Sequence, residues 1–148
     1  MNLIIDEGNT SIKVALFKKG IQTFFLSFAK EGFQESFLSK VPLNEVTHCI
    51  IASVVTGVKE RFSFLEQLLP NVLYLTAETP VPFVNKYATP HSLGIDRLAL
   101  VAGAVTRFPN RNALIIDAGT CITFDIVTDK KEYLGGAIAP GIAMRLKA

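Results

Sequence analysis

Leu3-Ile4-Ile5-Asp6-Glu7-Gly8-Asn9-Thr10 decides how this chain is read, because it returns as Leu114-Ile115-Ile116-Asp117-Ala118-Gly119-Thr120. Each copy is an apolar run closed by an aspartate, then a glycine and a threonine, and each leads into another β-rich run. A buried strand that ends in a carboxylate and turns on glycine sets oxygen ligands beside bare backbone N–H groups. That is the equipment for holding a metal-bound nucleotide polyphosphate. Two copies imply two related half-structures facing each other across a cleft, each with a phosphate-handling end.

The bulk composition fits that picture. The 148 residues are 49% hydrophobic and 19% charged, enough to bury a real core. The net charge of +2 is near neutral, and the basic residues are scattered (Lys18-Lys19, Arg107, Arg111, Lys130-Lys131). No basic stripe interleaved with aromatics exists, so a nucleic-acid groove is not indicated. Cys49 and Cys121 lie in apolar β-like runs without ligand spacing and read as reduced core thiols. Asp6 and Glu7 interrupt the first apolar run before a signal peptide could form, and Leu98–Val105 is too short to cross a bilayer. The expectation is a soluble, cytoplasmic protein with no membrane partner.

Along the chain, residues 2–6, 11–17 and 21–28 read as strands, with Lys18-Lys19-Gly20 as a hairpin turn. Residues 33–40 are helical, and 48–55 is a β-branched run of the kind buried on both faces. Apolar spacing predicts one helix over 58–69, stopped at Pro70, and a short strand over 72–75. Residues 77–93, with Pro80, Pro82 and Pro90, form a long irregular connection. A helix over 95–108 ends at Pro109, and strands over 113–117, 121–127 and 133–138 repeat the opening of the chain. Residues 142–148 start another helix. The expected class is α/β, a mixed sheet with helices on its faces. The boundary is expected at the polar turn 110–112, giving a first domain over 1–112 and the beginning of a second over 113–148.

Four constellations can carry chemistry. In Asp6-x-Gly8-Asn9-Thr10-x-x-Lys13, Gly8 admits an anion, Thr10 offers a hydroxyl, Lys13 a cation and Asp6 a carboxylate for a hydrated metal. Gly-Asn-Thr is equally ordinary hairpin chemistry. Asp117-x-Gly119-Thr120, with Asp125 beyond it, raises a further demand: an acid at a buried strand end needs a cation or donors. In Gly94-Ile95-Asp96-Arg97 a helix start favours an ionised Asp96 able to accept a proton, and Arg97 can fork onto a carboxylate or phosphate. Helix capping and a surface ion pair would explain the same residues. Gly135-Gly136-Ala137-Ile138-Ala139-Pro140-Gly141 could bring backbone N–H groups to an anion, or simply turn the chain. His48 and His91 have no partner at ligand or triad spacing and read as structural, and neither a Walker A motif nor GxGxxG stands out.

Taken together and in order, Asp6-Glu7-Gly8-Asn9-Thr10-x-x-Lys13, Tyr87-x-x-Pro90-x-x-Leu93-Gly94-x-Asp96-Arg97, Asp117-x-Gly119-Thr120-x-x-Thr123-x-Asp125 and Gly135-Gly136-x-Ile138-x-Pro140-Gly141 resemble the type III pantothenate kinases. These belong to the acetate kinase/Hsp70/actin superfamily, so the resemblance implies a ribonuclease H-like (actin-like ATPase) fold. It implies transfer of the ATP γ-phosphoryl group to the primary hydroxyl of pantothenate, giving 4'-phosphopantothenate at the start of coenzyme A synthesis. Asp96 would then be the base, and Tyr87, Gly94, Ile95, Asp96 and Arg97 would hold pantothenate, with the guanidinium on its carboxylate. Asp6, Gly8, Asn9, Thr10, Lys13 and Thr120 would bind ATP, with Asp6 on hydrated Mg²⁺ and Asp117 on a monovalent cation, K⁺ or NH₄⁺. A homodimer is implied at full length.

Glu7 stands where this family usually has an apolar residue, and it is expected to be exposed and tolerated. Family members are longer, about two domains' worth by size, so the chain is expected to be a fragment with little activity alone. Two other readings stay open. One is a non-catalytic binding or transcription-accessory module of the same fold. The other is a phosphotransferase or phosphatase of the superfamily acting on acetate or polyphosphate, whose members lack the Tyr87 loop and the Asp96-Arg97 pair.

Overall fold

Side-chain alternation sets the first sheet. In β1 (Asn2–Glu7) the odd positions Leu3, Ile5 and Glu7 are buried and the even ones are more open. β2 (Ile12–Lys18) and β3 (Ile21–Phe28) follow as antiparallel neighbours, turning through Lys19 and Gly20, both at positive φ as a two-residue hairpin requires. β4 (His48–Ser53) pairs in parallel with the other edge of β1, and β5 (Val72–Tyr74) with β4, giving the order β3-β2-β1-β4-β5. Helices α1 (Phe33–Lys40), α2 (Val58–Phe62) and α3 (Phe64–Leu68) share one core with Leu3, Ile5, Val14, Leu16 and Ile51. Edge-on contacts Phe28–Phe33 and Phe33–Phe62, each 5.5 Å between centroids, tie α1 to β3 and to α2.

Three expectations change here. The helix expected over 58–69 breaks at Ser63. Its hydroxyl donates to Glu60 O (3.0 Å), and Glu66 N–H bonds Ser63 O three residues back (3.1 Å), a tighter step than an α-helix makes. β4 is not buried on both faces: Cys49 and Ile51 are buried, whereas Ile50 is half-open beside a cavity of about 460 Å³ that Ile4 and Leu73 also line. Glu7 is not exposed. It is 1% exposed, because it shares the parity of Leu3 and Ile5 and its carboxylate is paired with Arg61.

The computed structural model describes residues 1–147, and these divide into a first unit, Met1–Leu75, and a second from Thr76 onward. The division falls at residue 75, not at 112. Helix α4 (Ile95–Arg107) packs on β7 (Ala113–Ala118) and β8 (Cys121–Val127), so the segment before the repeat belongs to the second core. That core joins Leu98, Val101 and Val105 of α4 to Phe83, Leu93, Val127 and Tyr133. β9 (Glu132–Pro140) completes an antiparallel meander, and β6 (Val84–Asn85) lies parallel to it, giving β6-β9-β8-β7. The irregular connection thus contains a two-residue strand, held by Val84 N–H to Lys131 O and Lys86 N–H to Tyr133 O, and a 3₁₀ turn at Pro90–Ser92. A short helix, α5 (Ile142–Lys147), follows.

The two repeats are not used alike. Leu3 and Ile5 are fully buried, whereas their counterparts Leu114 and Ile116 are 61% and 56% exposed. Among the described residues β7 ends its sheet, with no strand on its outer edge. Cys121, expected in a core, is exposed because it opens β8 at the hairpin; Cys49 is buried, and burial pushes its thiol up to about 12.

Candidate active site

The predicted residues fall in both units, and each unit carries its own constellation. In the first, Asp6 and Lys13 are opposite one another in the β1–β2 register, so both side chains project from one face of the sheet. Lys13 Nζ lies 3.7 Å from Asp6 Oδ2, with both groups substantially exposed. Gly8 N–H bonds Ser11 O (3.1 Å), closing a four-residue turn that carries Asn9 and Thr10 at the surface. A carboxylate, a lysine and a glycine turn therefore sit together at a strand end, an arrangement suited to a solvated anion with a cation.

In the second unit, β7 and β8 pair Asp117 with Thr123 and Ile115 with Asp125, which sets Asp117, Thr123 and Asp125 on one face of the sheet. Asp117 and Thr120 are exposed. Gly119 N–H bonds Cys121 O (2.9 Å), and Gly141 N–H bonds Thr120 O (3.0 Å), so the Pro140-Gly141 step is folded onto the hairpin tip. A side chain at Gly141 would collide with Gly119 O and Thr120 O, which explains the glycine there. The two hairpins share their acidic strand end but differ in loop length: Glu7 pairs with Ile12, and Ala118 with Ile122.

Helix α4 delivers the remaining residues. Gly94 is its N-cap, followed by Ile95, Asp96 and Arg97 in the first turn. Asp96 Oδ1 accepts the Arg97 backbone N–H (2.8 Å), and the helix N-terminus favours the charge it carries. A Cβ at Gly94 would lie 2.5 Å from that same Oδ1, so glycine is what gives the carboxylate its place.

Arg97 does something the sequence did not announce. It is 4% exposed, and its guanidinium grips Asp125, itself fully buried. Nη2 donates to Asp125 Oδ1 at 2.6 Å, and Nε donates to Oδ1 at 3.0 Å and Oδ2 at 3.2 Å. Tyr133 Oη donates to the same Oδ1 at 2.7 Å. The Tyr87 ring stacks on Tyr133 (6.1 Å, 21°) and faces the Arg97 guanidinium at 5.5 Å. Tyr87 needs Gly135 to be glycine, because a Cβ there would meet its ring at 2.8 Å. Hydrogen bonding to Asp125 holds the Arg97 pKa above its usual value, and burial, aided by the same carboxylate, raises that of Tyr133.

The structure therefore brings Tyr87, Gly94, Asp96 and Arg97 together in one unit, with Asp117 on the sheet they pack against. Asp125 and Tyr133 are the members that sequence reasoning left without a role. The signal existed for Asp125: a charged residue two positions from Thr123, in a strand whose alternate residues are buried, requires a partner. Among the described residues no cluster of three or more His, Cys, Asp and Glu side chains forms; with Glu7 buried against Arg61 and Asp125 against Arg97, Asp6 and Asp117 are the more exposed carboxylates of the two strand ends.

Comparison with known proteins converges on one family. A family model described as Type III pantothenate kinase matches residues 2–148. A relative of that name from Christiangramia forsetii is 46% identical and aligns with the whole of this chain but 61% of its own length. One from Flavobacterium johnsoniae is 45% identical over 98% of this chain and 59% of its own. This chain thus spans about three fifths of the curated relatives it matches. Among solved structures, one from Campylobacter jejuni labelled for the Baf family of transcriptional activators superposes with a TM-score of 0.59 at 25% identity, covering 95% of this chain and 55% of the other. One from Porphyromonas gingivalis labelled for N-acetylglucosamine kinase gives 0.50 at 11% identity, covering 93% and 47%. The second likeness bears on the fold alone, a mixed α/β architecture.

Proposed function

Because the chain belongs to the type III pantothenate kinase family, we propose that the whole protein phosphorylates the primary hydroxyl of pantothenate at the expense of ATP. The observation that carries this reading is Asp96: a carboxylate in the first turn of α4, one oxygen held by the Arg97 N–H and the other able to take a proton. Arg97 is in turn bolted to the sheet through Asp125, so the base stands on a rigid support.

Bound ATP with magnesium supplies the phosphoryl group to be transferred. Asp6 would meet the hydrated Mg²⁺, and Gly8, Asn9, Thr10, Lys13 and Thr120 the phosphates. A single carboxylate suits magnesium, which is commonly held by one or two carboxylates together with substrate phosphates. Asp117 would hold K⁺ or NH₄⁺ and offset further charge. Tyr87, Gly94, Ile95 and Arg97 would orient pantothenate. With Nε and one N–H of Nη2 engaged by Asp125, the Nη1–Nη2 end of the Arg97 guanidinium is the edge left for the substrate carboxylate. Asp96 takes the hydroxyl proton as the oxygen–phosphorus bond forms and the bond from γ-phosphorus to the β,γ-bridging oxygen breaks. The proton passes on to solvent, and ADP leaves.

The complete enzyme is proposed to act as a cytoplasmic homodimer, and the 148-residue chain alone to turn over little. The test is ADP release coupled to pantothenate and potassium in the full-length protein. Asp96→Asn is expected to lower kcat by about 10²–10⁴-fold, with pantothenate binding by calorimetry retained. A variant within about tenfold of wild type would remove Asp96 as the base. A transcription-accessory role finds one point of support, the label of the Campylobacter jejuni structure. The net charge of +2 supplies no surface for tracking phosphates.

A further inference from the structure

We infer that Glu7 and Arg61 form an internal lock that positions the Gly8–Thr10 turn, making Arg61 a positioning residue for the nucleotide although it lies 54 positions away from Glu7. The inference rests on the phosphate reading of that turn.

Glu7 ends β1 and runs directly into the turn, yet its side chain goes inward. Arg61 Nε donates to Glu7 Oε1 (3.0 Å) and Nη2 to Oε2 (2.6 Å), a two-pronged pair. Ser53 Oγ donates to the same Oε2 at 2.6 Å, so both carboxylate oxygens are satisfied. Arg61 then reaches the β4–α2 connection through Nη1 to Thr56 O (2.5 Å) and Nη2 to Val55 O (3.3 Å). The main chain repeats the link, since Val54 N–H bonds Glu7 O (3.1 Å) and Val55 N–H bonds Ser53 Oγ (3.0 Å). One guanidinium therefore fixes the end of β1 to the segment that leaves β4.

Stability alone does not account for such a pair. Only Glu7 leaves water: its side chain is 2% exposed while that of Arg61 is 38% exposed, so solvent screens the pair and its net stabilisation is small. What the fork adds is orientation, because both prongs must align at once. Glu7 and Asp6 point to opposite faces of the same strand. Fixing the Glu7 side chain thus fixes the rotation of the strand end from which Asp6, and then Gly8, Asn9 and Thr10, are presented. The lock borders a cavity of about 380 Å³ that Ile12, Phe33 and Phe62 also line, so a leucine at position 7 has apolar surroundings to pack against.

Hydrogen exchange on the 148-residue chain tests the lock directly, and kinetics of the full-length protein test its purpose. Glu7→Leu and Arg61→Ala are expected to speed exchange of the residue 8–11 and 54–57 amides by about tenfold or more, with the Leu3–Ile5 amides changed by less than about twofold. KM for MgATP should rise by about fivefold or more with kcat held within about twofold, and Arg61→Lys should fall between these variants and wild type. Unchanged exchange in the turn of Glu7→Leu, equal loosening of the whole strand, or an unchanged KM for MgATP would each overturn the lock. If wild-type full-length protein releases no ADP with pantothenate, the kinase reading falls instead, and the exchange pattern still decides whether the lock exists.

Discussion

Replacing Asp125 by alanine removes the centre of the buried network in the second unit. Arg97, 4% exposed, would keep its charge with no carboxylate, and the Tyr133 hydroxyl would lose its acceptor. Breaking a buried pair from one side costs about 3–5 kcal/mol. An orphaned buried hydroxyl adds about 1–3 kcal/mol. The sum, about 4–8 kcal/mol, matches much of the roughly 5–15 kcal/mol that holds a typical domain together. The second unit of Asp125→Ala should therefore be largely unfolded without denaturant while the first unit stays folded. The chain has no tryptophan; Tyr87 and Tyr133 sit inside the network and the third tyrosine, Tyr74, lies on β5 of the first unit, so tyrosine fluorescence during urea titration in a Tyr74→Phe background reports on the second unit. Exchange of the β8 and β9 amides supplies the second probe. Asp125→Asn, which keeps an acceptor but not the charge, should lose about half as much. The double variant Asp125→Leu/Arg97→Met should return to within about 2 kcal/mol of wild type, because an apolar pair avoids both desolvation and the stranded charge. A loss below about 1 kcal/mol in Asp125→Ala, or single-variant losses that simply add in the double variant, would refute the reasoning.

Glycines give a matched contrast: Gly136→Ala would drive a methyl into Phe124 O and should cost about 3 kcal/mol or more. Gly103→Ala meets nothing within 4 Å on α4 and should gain about 0.5–1 kcal/mol, both read from thermal or urea midpoints. Alkaline pH should destabilise the first unit, because burial raises the folded Cys49 thiol from 9.0 to about 12. The unfolded state then releases its proton first, so this contribution is whole below pH 9 and falls as pH rises towards 12. Cys49→Ala should flatten that fall, and a urea midpoint that stays constant up to about pH 11 would exclude it.

Local pattern made much of this legible. The β1, β2 and β3 stretches are short apolar runs of strand-forming residues, the Lys19-Gly20 turn has hairpin chemistry, and α4 carries apolar residues at 98, 101 and 105 closed by Pro109. What pattern could not supply was distance. Glu7 reads as exposed when its parity in β1 is taken as the open one; the parity is the buried one, and the partner that makes this possible lies 54 residues on. Asp125 has no role legible in the sequence because the cation that satisfies it, Arg97, lies 28 residues back and reads by itself as a substrate ligand. β6 is two residues long and exists through backbone bonds to β9. The repeat at Leu114 marks a second strand pair, and the core it joins begins earlier, because Phe83 and Leu93 pack with α4.

The uncovered stripe on β7 has a practical corollary at the bench. Leu114 and Ile116 lie on a strand that, among the described residues, has no neighbour on its outer edge, and the run from Ala113 to Ala118 contains no proline and one charge, Asp117. Edges of that kind template pairing with neighbouring molecules, and natural sheets guard them with lysines, bulges or prolines. Concentrated stocks of the 148-residue polypeptide should therefore scatter light and bind amyloid dyes over time, and a lysine at position 114 or 116 is the simplest guard to install.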